Sequence, residues 1–350
     1  MTRDILVTWF IKNYPKYYKE MSLTYHEVSS DHMSPYHGEG SVWTHTMMVM
    51  TAASIKNFGT EVLTAALLHD IGKPTAKEYI EETPDKHARH RFSGHEGIST
   101  FKAIGVLQQL RRDFPEHYTA DSIETIIRLI SLHGVSLTEL KDPLLPLRSE
   151  LMHCDRTGAV RVLSDEQEDH YPPRKFLKHP KKVEGKELIM MIGLPCSGKS
   201  TYVEENLSGY TVVSRDNFLF ELYKNTFNSE GELTSYNDVY NFLHSSEYRR
   251  QVVTQEFDKY VHQMSKTSDK VIIDMTMTSL KSRRKMLATF SKHSAKAVVL
   301  MPSMQEIYGR NAAREGKYIP EEVFTNMSKA FVYPVLDEGF TDIKLILKEL

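Results

Sequence analysis

The stretch Glu187-Leu188-Ile189-Met190-Met191-Ile192-Gly193-Leu194-Pro195-Cys196-Ser197-Gly198-Lys199-Ser200 decides the fold of the second half of the chain. Six residues, mostly apolar, run into a loop of the form G-x-x-x-x-G-K-S, and the segment Thr201 to Leu207 that follows suits a helix. Glycines at Gly193 and Gly198 let the backbone curl until its N–H groups converge on phosphate oxygens. Lys199 adds a positive charge at the β- and γ-phosphates, and the Ser200 hydroxyl suits Mg²⁺. Gly193, Ser197, Gly198, Lys199, Ser200 and Thr201 are therefore the expected cradle for ATP or another NTP, with Mg²⁺ on Ser200.

Further apolar runs follow at Tyr210–Val213, Val271–Asp274 and Ala297–Met301, with helical segments between them. That alternation predicts a parallel α/β sheet. Ligands of such sheets sit at the C-terminal strand ends. Ser214-Arg215-Asp216-Asn217 follows the second run, so Asp216 is placed to accept a proton from an attacking hydroxyl, or to cap a helix. Asp274 ends the third run, where a carboxylate binds Mg²⁺ or orders the site by hydrogen bonds. Arg310 and Arg314 are four apart, a spacing that puts both on one helical face to clamp transferring phosphates. Gly316-Lys317 follows them as a hinge-like break.

Upstream the pattern changes. Residues 1–165 read as helical, with helices starting near Trp43, spanning Glu61 to Leu68, and spanning Asp121 to His133 with Gly134 as C-cap. The histidines, 16 in all, are concentrated in this half. His69-Asp70 ends a helix and is followed by Ile71-Gly72-Lys73. With His45 on the preceding helix and Asp155 on a later one, it offers mixed N/O ligation suited to Mn, Fe, Co, Ni or Zn. His95 and His133 are candidates for a second metal position, and Lys73 for substrate phosphate or a surface role. His37, His87 and His90 stay unassigned, although His90 with Arg91 is a candidate lining of the phosphate cleft.

Residues 166–186 separate the halves: an acidic run, Tyr171-Pro172-Pro173, then Arg174, Lys175, Lys178, Lys181 and Lys182. They read as a solvated linker or as a phosphate-contacting strap. The domains are thus 1–165, a linker at 166–186, and 187–350. The net charge of −2 excludes a globally basic nucleic-acid coat, so such a substrate would be held in a cleft. Two cysteines, Cys154 and Cys196, rule out a disulfide framework and fit a reducing compartment. No signal-peptide cleavage site and no bilayer-length apolar run are found, so the chain reads as cytoplasmic, with no membrane partner.

Two resemblances follow from these motifs. The order GxxxxGKS, S-R-D, V-I-I-D-M-T with Arg283-Arg284 after it, then R-N-x-x-R-x-G, over about residues 186–335, resembles the polynucleotide 5′-kinase module of phage and bacterial RNA repair enzymes. The resemblance implies phosphoryl transfer from NTP to a 5′-OH end, with Lys199 and Ser200 on phosphate and Mg²⁺, Asp216 as general base, and Arg310 and Arg314 in the lid. Leu219 departs from it, because the phage pattern often has there an arginine that contacts the acceptor's phosphate. The set His45, His69-Asp70, Asp155, with W-T-H-T-M-M-V and F-x-G-H-E-G, over about residues 35–165, resembles HD-domain phosphohydrolases, especially those attached to tRNA-processing enzymes.

The fusion resembles the HD-Pnk enzymes: an all-α HD domain followed by an α/β P-loop kinase. It implies repair of both ends of broken RNA or DNA, one bearing 5′-OH, the other a 2′,3′-cyclic or 3′ (or 2′) phosphate. A separate ligase would act next, and a homo-oligomer is compatible with this reading. The competing readings are a kinase of a nucleoside or nucleotide sugar with a nucleotide-hydrolysing HD domain, and a sensor that binds ATP without spending it.

Overall fold

The computed structural model describes residues 1–27, 38–82, 88–134, 144–159, 183–227, 233, 235–314 and 317–347. The linker's basic run, His37, His87 and Gly316 lie outside the described residues. The described residues divide into two compact units. One holds residues before 160 together with Ser328–Tyr333; the other holds the rest.

The first unit is built from helices α1 (Arg3–Asn13), α2 (Pro15–Ser22), α3 (Val42–Ile55), α4 (Thr60–Leu68), α5 (Lys73–Ala76), α6 (His95–Asp113), α7 (Ala120–Leu132) and α8 (Leu145–Gly158). Every residue of α4 from Val62 to Leu68 is buried, so this helix is the centre of the bundle rather than an amphipathic cover. Side-chain caps fix helix starts that the apolar pattern leaves vague: Ser41 accepts from Thr44 N–H before α3, and Thr119 from Ser122 N–H before α7.

The first unit is helical as expected, with a short antiparallel pair beside the helices, β1 (Glu78–Ile80) with β2 (Arg89–Arg91). Gly134 is not a left-handed C-cap: its φ is not positive, and α7 ends on His133 in right-handed geometry. What Gly134 provides is room, since a Cβ there would stand 2.1 Å from Glu96 Oε1. Ser328–Tyr333, from the stretch assigned by sequence to the second domain, packs within this unit. Phe331 meets the Phe101 ring at 4.9 Å, and Tyr333 N–H donates to Ser131 Oγ at 2.8 Å.

The second unit is an α/β layer structure. It runs β3 (Glu187–Ile192), α9 (Lys199–Asn206), β4 (Thr211–Ser214), α10 (Arg215–Thr226), α11 (Tyr236–His244), α12 (Glu247–Thr267), β5 (Lys270–Asp274), α13 (Leu280–Thr289), β6 (Ser294–Leu300), α14 (Met304–Ala312), α15 (Glu321–Lys329, its last two residues counted with the first unit) and β7 (Phe340–Ile346). The five strands are all parallel, in the order β4-β5-β3-β6-β7. Central β3 is buried from Leu188 to Ile192, which is why it reads as an unbroken apolar run.

The sequence reading found four of these strands and missed β7. As an edge strand, β7 carries Thr341, Asp342 and Lys344 among its apolar residues and shows only partial burial, so it gives no continuous apolar run. Helices α10, α11 and α12 form a subsidiary core around Leu219, Tyr223, Leu243 and Val253. Among the described residues no helix is long and apolar enough to cross a membrane.

Candidate active sites

In the first unit, chain geometry gathers the histidines around Asp70. His69 caps α4, His45 sits in α3, His95 opens α6, His133 caps α7 and Asp155 lies in α8. Gly72 lets α6 come this close. A Cβ there would stand 2.5 Å from His95 O and 2.6 Å from Ser99 N, and Gly72 N–H donates to Ser99 Oγ at 2.9 Å. The glycine of the H-D-I-G-K run is thus a packing requirement that delivers His95 to Asp70.

The imidazoles are pre-oriented. His69 Nδ1 bonds Ala66 O at 2.8 Å, His95 Nδ1 bonds Phe92 O at 2.9 Å and His133 Nδ1 bonds Ile130 O at 2.7 Å. A carbonyl only accepts, so each Nδ1 carries the proton and each Nε2 is left as the ligating atom. His45 Nδ1 stands 2.7 Å from the Glu39 carboxylate, which orients this fourth ring as the carbonyls orient the other three.

The Nε2 atoms converge. His45 lies 2.9 Å from Asp155 Oδ1 and 3.7 Å from Asp70 Oδ2. His69 lies 3.3 Å from Asp70 Oδ2 and 3.6 Å from Asp155 Oδ1. His95 lies 3.2 Å from Asp70 Oδ1 and 3.1 Å from His133 Nε2. Among the described residues two candidate ligand triads result, His45–His69–Asp70 and Asp70–His95–His133, each with donor atoms within 4.8 Å of one another. Asp70 belongs to both.

These residues fit divalent metal. His69 Nε2 and Asp70 Oδ1 are buried and make no hydrogen bond of good geometry, and Asp70 Oδ2 has its ion pair with Lys73, a costly arrangement for a cluster meant to stand alone. The imidazole and carboxylate donors are those of a transition-metal site. Without metal, burial disfavours a cation on His69, but Asp70 and Asp155 outweigh it and hold the ring up at about 10. Burial and the neighbouring His95 and His69 push His133 down to about 4.

Lys73 is no surface lysine. It is 6% exposed, pairs with Asp70 Oδ2 at 2.7 Å and lies 3.1 Å from His26 Nε2. Glu39 and His26 escaped the sequence reading, because neither stands at a telling distance from the H-D pair. His90 bonds Tyr25 O at 3.1 Å, and Arg91 pairs with Glu78 at 2.8 Å.

In the second unit the phosphate loop has the expected form, with Gly198 at φ +94° and Cys196 at +62°. Lys199 is buried and folds back on the loop, donating to Leu194 O at 2.8 Å and Gly193 O at 3.1 Å. Burial lowers its ammonium to about 8, with Asp274 opposing. Ser200 Oγ donates to Asp274 Oδ2 at 2.8 Å, so Asp274 orders the residue expected to hold Mg²⁺. Gly193, Ser197, Gly198 and Thr201 lie in the loop and the start of α9 as read.

Asp216 is the second residue of α10, and Ser214 is the cap, accepting from Asn217 N–H; the capping role considered for Asp216 falls to Ser214. Asp216 stays half exposed. Tyr236 OH donates to its Oδ1 at 2.7 Å, and Lys317 pairs with its Oδ2. Burial and the Asp216 carboxylate raise the Tyr236 hydroxyl.

The arginine pair is corrected in form. Helix α14 ends at Ala312, so Arg314 is past the helix rather than on a shared face. Both still reach the loop: Arg310 Nη1 donates to Cys196 O at 3.2 Å, and Arg314 Nη1 lies 3.5 Å from Cys196 Sγ.

Leu219 is 1% exposed in the α10–α12 core and cannot touch an acceptor. Arg283, read as part of a family pattern, is fully buried and structural: Nε and Nη2 grip Glu338 at 2.7 Å each, and Nη1 donates to Met277 O and Thr278 O. Sequence reading singles out Lys317 only as part of a hinge-like break and Tyr236 not at all, because they lie 101 and 20 positions from Asp216.

Comparison with known proteins matches residues 42–159 to the HD domain family and residues 188–334 to a family described as AAA domain. A curated human protein, heterogeneous nuclear ribonucleoprotein U-like protein 2, is 28% identical over 163 residues, 44% of this chain. The chain spans only 21% of that relative's length. Among solved structures, a sugar kinase from a Janibacter species aligns at 15% identity over 46% of this chain and 85% of its own, with TM-score 0.30. A putative kinase from Chloroflexus aurantiacus aligns at 12% identity over 48% and 88%, with TM-score 0.36. The Pnkp1/Rnl/Hen1 RNA repair complex aligns at 23% identity over 43% and 45%, with TM-score 0.33.

Proposed function

From an HD domain followed by a P-loop kinase domain, we propose that this chain heals both ends of a broken polynucleotide. It phosphorylates 5′-OH ends from an NTP and removes 2′,3′-cyclic, 3′ or 2′ phosphate at a metal site. The observation that carries the reading is the pairing of two complete phosphate chemistries in one chain: a buried His/Asp cage with a lysine beside it, and a phosphate loop with a half-exposed carboxylate at the sheet's C-terminal edge.

At the kinase site the loop N–H groups and Lys199 hold the donor phosphates, and Ser200, fixed by Asp274, is the protein's ligand for Mg²⁺. Asp216 accepts the proton of the attacking hydroxyl, for which Lys317 must give way or share the carboxylate. Arg310 and Arg314, already against Cys196, stabilise charge on the transferring group.

At the HD site, His45, His69, Asp70 and Asp155 would hold one cation, and Asp70, His95 and His133 a second. A divalent metal there supplies Lewis acidity toward a phosphoryl oxygen and toward water. Lys73 balances the Asp70 charge and is a fixed cation beside the cage for substrate phosphate. A ligase would consume the resulting 5′-phosphate and 3′-OH ends.

A second reading is favoured by one observation: the buried Leu219 leaves no acceptor-phosphate arginine at that position, as a kinase of a nucleoside or nucleotide sugar would allow. An end-labelled RNA with 5′-OH and 2′,3′-cyclic phosphate ends, incubated with ATP, Mg²⁺ and Mn²⁺, tests the proposal. Gain of 5′-phosphate and loss of the cyclic end are expected. Phosphorylation of nucleosides or nucleotide sugars but not of the RNA selects the second reading.

A further inference from the structure

The buried Leu219 raises the question of what grips the acceptor, and α11 offers an answer. Tyr236, Tyr240 and His244 recur every four residues, a spacing that aligns them on one helical face. Their rings form a continuous strip: Tyr236 to Tyr240 at 6.0 Å and 26°, Tyr240 to His244 at 4.0 Å and 20°.

One end of the strip is tied to the proposed reaction centre, through the Tyr236 OH bond to Asp216 and the Lys317 ammonium 3.7 Å from the Tyr236 ring centre. The other end is cationic, where exposed Arg250 donates to His244 O at 2.8 Å. Core residues of α11 are Val239 and Leu243, on which the helix packs; Tyr240 remains 42% exposed, and Tyr248 beyond it 69%. Large exposed aromatics beside an arginine are the elements that take single-stranded nucleic acid, since bases stack on rings and phosphates pair with cations.

Resting on the kinase reading above, we propose that the Tyr236–Tyr240–His244 strip binds the first bases of a single-stranded 5′-OH acceptor, with its terminal hydroxyl directed to Asp216 and a following phosphate to Arg250. The strip supplies by stacking the hold that an arginine at position 219 would supply by charge. Stacking is sequence-tolerant, so any base is accepted at these positions.

The test uses the full chain and a series of 5′-OH acceptors from a 3′-mononucleotide to an octanucleotide, at saturating ATP. For the wild type, kcat/KM rises over the first few nucleotides. Tyr240→Ala and His244→Ala raise KM for the octanucleotide by about five- to a hundredfold, the scale of one lost base stack. The mononucleotide, which has no second base, loses much less. Tyr240→Phe, which keeps the ring, restores the length dependence, and thermal melting of each variant verifies folding.

Equal losses on short and long acceptors, or none, overturn the strip while leaving the kinase reading intact. A wild type that phosphorylates no oligonucleotide overturns both.

Discussion

Arg283→Met tests whether a buried ion pair, rather than substrate contact, explains the arginine that follows the third strand. The guanidinium is fully buried and makes two bonds of 2.7 Å to Glu338, plus bonds of 3.1 and 2.9 Å to the Met277 and Thr278 carbonyls. Methionine fills similar space but leaves the Glu338 carboxylate buried without a counter-charge, a loss of about 3–5 kcal/mol. At about 2–4 °C per kcal/mol for a domain of this size, the second unit should melt roughly 6–20 °C lower. Arg283→Met with Glu338→Leu removes both charges and should regain most of that loss, although Val335 N–H, which donates to Glu338, is then orphaned.

Both tryptophans, Trp9 and Trp43, are in the first unit, so intrinsic tryptophan fluorescence does not report this transition. Calorimetry with and without ATP does, because the nucleotide shifts only the unit that binds it. A kinetic effect should accompany the melting shift. The clamped turn holds Met277 at φ +42°, and the neighbouring Thr276 carbonyl accepts Gly193 N–H at 3.0 Å, so loosening it disturbs the phosphate loop. A single variant within about 1 kcal/mol of wild type, or a double variant no better than the single, would refute the reasoning.

Arg314→Ala should lower kinase turnover by about 10²-fold, the scale of one transition-state charge contact, with the HD activity unchanged; near wild-type turnover in a steady-state assay removes Arg314 from the site. Asp70→Ala, which deletes the carboxylate shared by both ligand triads, should lose bound transition metal by elemental analysis and all release of phosphate from 3′ ends, while 5′ phosphorylation persists; retained 3′ clearing contradicts the metal-site assignment. Wild type stripped by chelator should recover that activity better with Mn, Co or Ni than with Mg. NTP affinity of the free enzyme should be level below pH about 8 and fall above it. Lys199 is lowered to about 8 and binds phosphate as the cation, so higher pH adds a deprotonated state that must be reprotonated on binding. Calorimetric affinities that stay level to strongly alkaline pH contradict that role.

What the sequence determined by itself are the features written in a few adjacent residues. Gly193 to Ser200 specifies a phosphate loop because its chemistry is backbone geometry plus one lysine, and β3 specifies a central parallel strand because burial on both faces demands an unbroken apolar run. His69-Asp70 likewise marks a helix-end pair of candidate metal ligands, whereas the packing of Gly72 under α6 came only with the structure.

Tertiary structure decided everything that depends on side chains meeting from separate elements. Only packing shows that Asp70 stands in two candidate ligand triads, that Lys73 is buried against it, and that Glu39 stands against His45. It assigns Arg283 to Glu338, 55 positions away, and Leu219 to a helical core. It also brings Arg314 to the loop from beyond a helix that sequence spacing had extended through it. The physical reason is range: backbone conformation is set within a turn or two of chain, whereas burial and side-chain convergence are set by which distant surfaces exclude water together.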